Sequence, residues 1–525
     1  VSAVVSPRQC GVLLHPTSLP ASTGCGTLGA AARDWVELLG REGVGVWQLL
    51  PVAPPDGTGS PYSSPSGSAL NPWLLDADDL VDEGFLTRRQ RDDLPPAATT
   101  DRLEPMQASR RAEALGVALA QAWPAQSPQR QTEFRRWCRS QAPWLRDHGL
   151  FMALRRRHGG QPWWQWPPAL ARRQRRALGQ ARQEQAPILL QESLLQWHLQ
   201  RQWQRLQQWA QGQGVRLFGD LPFYVAHDSV DVWCHPDLFV LAPDGTLAAQ
   251  SGVPPDYFSA TGQLWGTPVY RWRRHALQGF RWWLDRLQRQ LELFDLLRLD
   301  HFRALESYWS VPGGDATAEN GHWVPSPGLW LLRLLHWRCR RRHLLQSDGR
   351  LPLIAEDLGV ITKEVEDLRD RFELPGMKIL QFAFDGNPDN GYLPANYSGH
   401  RWVVYTGTHD NATTNGWWQG LEEHQRRQVG ELLGALVEAP GWQLAELGLA
   451  SCAELVVVPL QDLMGLDDGA RFNTPGTASG NWSWRLQEPI AALAGHLHGY
   501  GALAARYGRS GGAGAGSSGT GGGSC

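Results

Sequence analysis

The sequence predicts an α/β fold, a (β/α)8 TIM barrel carrying inserted subdomains, the largest of them mainly helical. Three observations predict it. Eight short apolar runs, each ending in polar or Gly/Pro-rich residues, are spread along the chain. Helical patterns lie between most of them, and strands that alternate with helices make a parallel sheet. At 525 residues the chain is too long for a small module but suits one barrel enlarged by insertions. A doubly wound open sheet is the alternative, but no G-x-G-x-x-G follows the first run.

The eight runs are 11–17 (GVLLHPT), 44–51 (VGVWQLLP), 215–220 (VRLFGD), 296–301 (LLRLDH), 353–357 (LIAED), 377–383 (MKILQFA), 402–408 (WVVYTGT) and 455–460 (LVVVPL). Each is short, rich in branched or aromatic residues and bounded by breakers, as a buried strand requires. Helices are expected at 30–43, 277–294 and 329–345, where apolar residues recur at helical spacing. The second and third runs lie far apart. The gap holds Leu195, Leu199, Trp203, Leu206 and Trp209, an amphipathic stripe. Residues 82–212 therefore read as a helical insertion within a single catalytic barrel, 1–509. Residues 222–270, rich in Pro, Gly and aromatics, read as a loop-like insertion. The Gly/Ser-rich tail, 510–525, is expected to be disordered. The stretch after the eighth run is too short for a C-terminal β-sandwich domain.

Composition narrows the function. The formal net charge of −2 supplies no field to draw in nucleic acid or an acidic membrane. The basic residues are nearly all Arg. The clusters Arg155, Arg156, Arg157 and Arg340, Arg341, Arg342 read as solvated helix faces, because acidic residues balance the total. The seven cysteines are scattered with no C-x-x-C spacing, which argues against a disulfide framework or a zinc site. There is no signal-peptide pattern and no apolar run of about 18 residues, so a cytoplasmic protein is expected; a plastid origin after loss of a transit peptide is the alternative. The 27 tryptophans exceed what other aromatics contribute, and those in polar loops suit sugar rings, which pack on flat apolar faces.

In a parallel barrel the reactive groups stand at the C-terminal ends of the strands. There the third run ends in Asp220, the fourth carries Arg298, Asp300 and His301, the fifth ends in Glu356 and Asp357, and the seventh leads into His409 and Asp410. Four carboxylates from different strands are costly to desolvate unless paired or put to work. Side chains alternate faces, so Arg298 and Asp300 can both point inward, and only one of Glu356 and Asp357 should. An Arg beside Asp300 favours its ionised form, which suits a nucleophile. An Asp nucleophile beside a Glu acid/base is the layout of a retaining glycosidase. Strand-end caps are the plain alternative for any one Asp. Metal-dependent hydrolysis is another reading of His301 and His409, but no H-x-H or H-E-x-x-H pair supports it.

Three segments are more specific: 298–309 (RLDHFRALESYW), 355–362 (AEDLGVIT) and 405–414 (YTGTHDNATT). With 11–20, 46–54, 60–72, 219–233, 252–270 and 471–485, in that order along the chain, they closely resemble the 4-α-glucanotransferases of glycoside hydrolase family 77, the amylomaltases or disproportionating enzymes. The resemblance spans about residues 8–507. It implies transfer of α-1,4-glucan segments, with maltooligosaccharides, starch or glycogen-type α-glucans as partners, glucose as an acceptor, and no cofactor or metal. It implies Asp300 as nucleophile, Glu356 as general acid and base, and Asp410 as the group that holds sugar hydroxyls. Arg298, His301 and His409 would line the subsite where the bond breaks, Asp220 would support it, and Asn473 would bind substrate. The resemblance also implies that 252–266, within the 222–270 insertion, is a lid loop over the acceptor side; Tyr62, Asp256, Tyr257, Phe258 and Trp265 would contact sugar, the last four from that lid. The chain departs from the family pattern at Thr267, Ala304 and Ala412, which bears on acceptor preference and rate. A hydrolase on the same barrel and a non-catalytic glucan-binding barrel are the competing functions.

Overall fold

In the computed structural model, which describes residues 8–509 apart from 100, 256–258, 435 and 478, all eight apolar runs supply strands. They are β1 (Gln9–Leu13), β2 (Val46–Gln48), β3 (Arg216–Leu221), β4 (Leu296–Leu299), β5 (Leu353–Ala355), β6 (Gly376–Ile379), β7 (Trp402–Tyr405) and β8 (Leu455–Pro459). Consecutive strands pair in parallel from β1 to β5 and from β6 to β8, and β8 pairs with β1. The remaining seam is joined where the Ala355 N–H donates to Pro375 O at 2.8 Å. The strands are shorter than the runs because the last residues of several runs leave the ladder to form the rim.

Alternation along the strands separates two apolar layers. Leu13, Val46, Phe218, Leu296, Ile354, Met377, Val403 and Leu455 pack with one another inside the barrel. Their neighbours Val12, Trp47, Leu217, Leu297, Leu353, Val404 and Val456 belong to the larger outer core beneath the helices. The helix Ala30–Arg41 adds Trp35, Val36 and Leu39 to that layer, with Trp35 edge-on to Trp47 at 6.4 Å.

Between β2 and β3 the chain builds a series of helices, the longest being Pro105–Ala122, Ala142–Arg157 and Ala186–Gly212. The stripe of the last is buried through Leu206, while Trp209 at its end is 40% exposed. The first arginine cluster is solvent-facing as expected, with Arg156 and Arg157 exposed and Arg155 partly so, and each also has an acidic partner. Arg155 pairs with Asp228 at 3.0 Å, Arg156 with Glu113 at 3.2 Å, and Arg157 with Glu184. These partners come from distant segments, so local charge patterning could not reveal them. Arg340, Arg341 and Arg342 are exposed in the last turn of the helix Gly328–Arg342, where cations oppose the negative end of the helix dipole.

The stretch 222–270, expected to be loop-like, holds two strands. Gln263–Pro268 pairs antiparallel with Ala249–Val253, which pairs with Ser307–Pro312, followed by His322–Pro325. The central pairing spans β4, a separation at which Gly- and Pro-broken strands leave no local signal. Gly262 makes the hairpin possible: its φ is +68°, and a Cβ there would lie 2.4 Å from Val253 O. The tail 510–525 lies outside the described residues. No described helix is long and apolar enough to cross a membrane.

Candidate active site

The inward rows of the barrel change from apolar to polar as they rise. Leu296 is followed on the same face by Arg298 and Asp300, Phe218 by Asp220, and Ile354 by Glu356. The register sets Asp220 beside Arg298, and Arg298 beside Ile354. Asp300 and Glu356 therefore stand as neighbours one pleat higher, where β4 and β5 end.

Arg298 organises the lower level. Its Nη1 donates to both oxygens of Asp220, at 2.9 and 2.7 Å, and its Nη2 lies 2.8 Å from Asp300 Oδ1. Burial works against its charge, but Asp220 and Asp300 raise its pKa above the ordinary value. The Tyr62 hydroxyl donates to Asp220 Oδ2 at 2.7 Å. Asp220 and Arg298 are both buried, so the pair satisfies charges that water does not reach.

Glu356 is held differently. Its Oε2 accepts from the His301 N–H at 2.7 Å and its Oε1 from the Leu358 N–H at 3.0 Å. Burial raises its pKa to about 7; Arg298 and the two N–H donors oppose that, and the Asp300 charge adds to it. His301 adopts φ +53°, an unfavourable left-handed conformation for a residue with a Cβ. The Phe302 N–H donates back to Glu356 O at 3.0 Å, so the two rim segments lock each other. Asp300 is also raised by burial, which Arg298 opposes. Of the adjacent pair, only Glu356 enters the site, as alternation predicts. Asp357 turns outward and accepts from Arg369 Nη1 at 2.5 Å and from the Met377 N–H at 2.7 Å, bracing the β5–β6 seam.

The third carboxylate stands across the rim. Asp410 Oδ1 accepts from Asn473 Nδ2 at 2.6 Å, and its Oδ2 lies 3.4 Å from His409 Nε2. The Tyr62 ring stacks on His409, with centroids 5.1 Å apart and planes 14° from parallel. Tyr62 thus joins the Asp220 side of the rim to the Asp410 side. Trp265 is 36% exposed and meets His301 edge-on at 4.8 Å.

Ten of the thirteen residues singled out from the sequence are thereby linked in one rim; Asp256, Tyr257 and Phe258 lie outside the described residues. Three others join it. His15 lies two residues beyond Leu13 on the same inward row, a signal that alternation carried. Burial, and then the charge of His409, lower its pKa to about 3. Trp482 lies 5.7 Å from Tyr62 and 6.0 Å from His409, and Tyr224 lies 5.9 Å from Trp265. Neither stands at a strand end, so the strand-end rule passes over both. Burial, and then Arg303, lower the His301 pKa to about 3, which keeps its imidazole neutral. A neutral histidine, a carboxyl protonated near neutrality and a second carboxylate tied to Arg298 form a site able to give a proton and offer a nucleophile together.

Comparison with known proteins agrees with this geometry. The model of a family described as 4-alpha-glucanotransferase matches residues 14–491. The chain is 44% identical to the 4-alpha-glucanotransferase of Synechocystis sp. over 504 residues, 94% of this chain and 97% of that one. It is 43% identical to the 4-alpha-glucanotransferase of Thermus thermophilus, over 91% of this chain and 95% of that one. The solved amylomaltase of Streptococcus agalactiae in complex with acarbose superposes with a TM-score of 0.89 at 31% identity, covering 96% of this chain and 100% of that one.

Proposed function

The chain belongs to the 4-alpha-glucanotransferase family, glycoside hydrolase family 77, and on that footing we propose how its rim residues carry the reaction. The protein is a 4-α-glucanotransferase. Its donors are α-1,4-glucans, from maltooligosaccharides to starch or glycogen-type chains, and its acceptors are such glucans or glucose.

The Asp300 carboxylate attacks the anomeric carbon as the glycosidic C–O bond breaks, and Glu356 gives its proton to the departing oxygen. The acceptor's 4-hydroxyl then gives its proton to Glu356 while its oxygen attacks the same carbon and releases Asp300. Two inversions leave the α-configuration unchanged. Arg298 favours Asp300 as the anion that attacks. Asp410, oriented by Asn473, grips hydroxyls of the sugar as its ring flattens. Asp220 and Tyr62 hold Arg298 in place, and His409 and Tyr62 form a wall for the donor sugar.

The observation that carries this reading is the contrast between the two neighbouring carboxyls. Burial raises both, Glu356 to about 7, but Asp300 is tied to a guanidinium at 2.8 Å whereas Glu356 is held by two backbone N–H groups. The ion-paired carboxyl is assigned as the nucleophile and the other as the acid. Transfer outruns hydrolysis when an acceptor is positioned and water is kept out; the hairpin bearing Trp265 is suited to both tasks.

The test is incubation with maltotriose, products being separated by length. Glucose together with longer maltooligosaccharides, and little gain in reducing ends, is the expected result. Shorter products alone, with rising reducing ends, would make the protein a hydrolase. For the intermediate, Glu356→Gln given an α-glucosyl fluoride, whose leaving group needs no proton, should carry a glucosyl adduct on Asp300 by peptide mass. An adduct on another residue would overturn the assignment.

A further inference from the structure

A second cleft, of about 250 Å³, opens beside Trp265. Three parts of the chain line it. Asp56 and Ser63 come from the loop after β2, Trp265 and Thr267 from the lid hairpin, and Arg155 and Asp228 from the helical insertion and the segment after β3. Its wall is rigid. Arg155 Nε donates to Asp228 Oδ2 at 3.0 Å, and Asp228 Oδ1 accepts from the Trp163 N–H at 3.1 Å. Beside them His227 is sandwiched flat on Trp164, with centroids 3.7 Å apart, and reaches Gly245 O at 2.8 Å. Among the described residues, the two terminal nitrogens of Arg155 donate to no protein acceptor. Its side chain is 29% exposed, which leaves those donors available to a ligand.

The cleft also lies on a definite side of the reaction. Glu356, the proton donor in the reading above, accepts from His301, and Trp265 stands against His301. Trp265 is therefore on the leaving-group side. By microscopic reversibility the acceptor enters where the leaving group departed. An acceptor chain running over Trp265 continues into the cleft.

Resting on that reading, we propose that this cleft binds the acceptor glucose units beyond the first, and that Arg155 and Asp228 grip their hydroxyls, so that the helical insertion selects acceptor length. A free guanidinium fork and a carboxylate oxygen, both held by rigid neighbours, suit the paired donors and acceptors of adjacent sugar hydroxyls. Thr267, whose hydroxyl meets Ser251 at 2.5 Å, sets the width of the cleft on the lid side.

The experiment measures transfer from a fixed, saturating maltopentaose donor to labelled glucose and labelled maltotriose. Arg155→Gln removes the charged donors, and Thr267→Phe narrows the cleft without touching the Arg155–Asp228 pair. In each, the KM for maltotriose divided by that for glucose should rise roughly tenfold or more, the loss expected of a hydrogen bond to a charged group. If Arg155→Gln does not fold, Thr267→Phe decides alone. An unchanged ratio in the variants that fold would overturn the proposal, because a pair that merely pins the insertion would move both acceptors alike. Failure of the unsubstituted protein to transfer to any acceptor would instead sink the transferase reading, and this proposal with it.

Discussion

Arg298 and Asp220 form a buried pair at the top of the barrel, with Nη1 2.7 and 2.9 Å from the two carboxylate oxygens, and the same guanidinium reaches Asp300. Removing one member leaves an uncompensated charge out of water. Arg298→Met should therefore lower stability by about 3–5 kcal/mol in urea denaturation and abolish turnover as well. A stability change close to zero would mean that water already reaches Asp220.

Glu356 must be protonated to act as an acid, and its pKa lies at about 7. In the unsubstituted protein kcat/KM should fall as pH rises through about 7. Stability should follow a related course. The native carboxyl binds its proton more tightly than the unfolded chain does, so stability falls as pH rises from the ordinary carboxylate range to about 7 and levels off above it. Glu356→Gln should flatten that slope. Urea melts of both proteins across this window check it; an unchanged slope would assign the titration elsewhere.

Asp357 provides the contrast one residue along the chain. Its loss takes the acceptor from the Met377 N–H and leaves Arg369 with Asp370 as its remaining carboxylate partner. Asp357→Leu should cost about 1–3 kcal/mol of stability while the folded fraction keeps its kcat. Thermal melts and kcat measured well below the melting temperature separate the effects. A hundredfold fall in kcat with an intact melt would mean that Asp357 works in the site.

Tyr62 does two separable things, donating to Asp220 and stacking on His409. Tyr62→Phe keeps the ring and removes a hydrogen bond to a charged group, worth about 1.5–3 kcal/mol. A fall of roughly tenfold to a hundredfold in kcat/KM is expected, with a larger fall for Tyr62→Ala. Equal losses in the two variants would assign the whole effect to the hydroxyl.

Trp265 is partly exposed on its hairpin. Trp265→Ala should raise the KM for maltotriose with little change in the melting temperature. A collapse of the melt with KM unchanged would make it a packing residue.

Much of this molecule was legible without coordinates. The eight strands announce themselves because breakers and apolar runs are local, and the family segments extend along nearly the whole chain. The inward set Asp220, Arg298, Asp300 and Glu356 follows from alternation alone. The four-stranded sheet that holds Gln263–Pro268 was not legible, since Ala249–Val253 pairs with Ser307–Pro312 across a barrel strand. Nor were Trp482 and Tyr224, which reach the rim from loops whose paths no short-range pattern sets.

By itself, then, the sequence determined which residues can stand on the rim, because strand period and strand ends are properties of a few consecutive residues. It also determined the family, through long segments in order. Tertiary structure alone decided what state each rim group holds. Glu356 is protonated near neutrality, Asp300 is tied to Arg298, and His301 is neutral. Those states depend on burial and on charges brought together from distant segments. Both arise only when the barrel closes and the insertions pack against it.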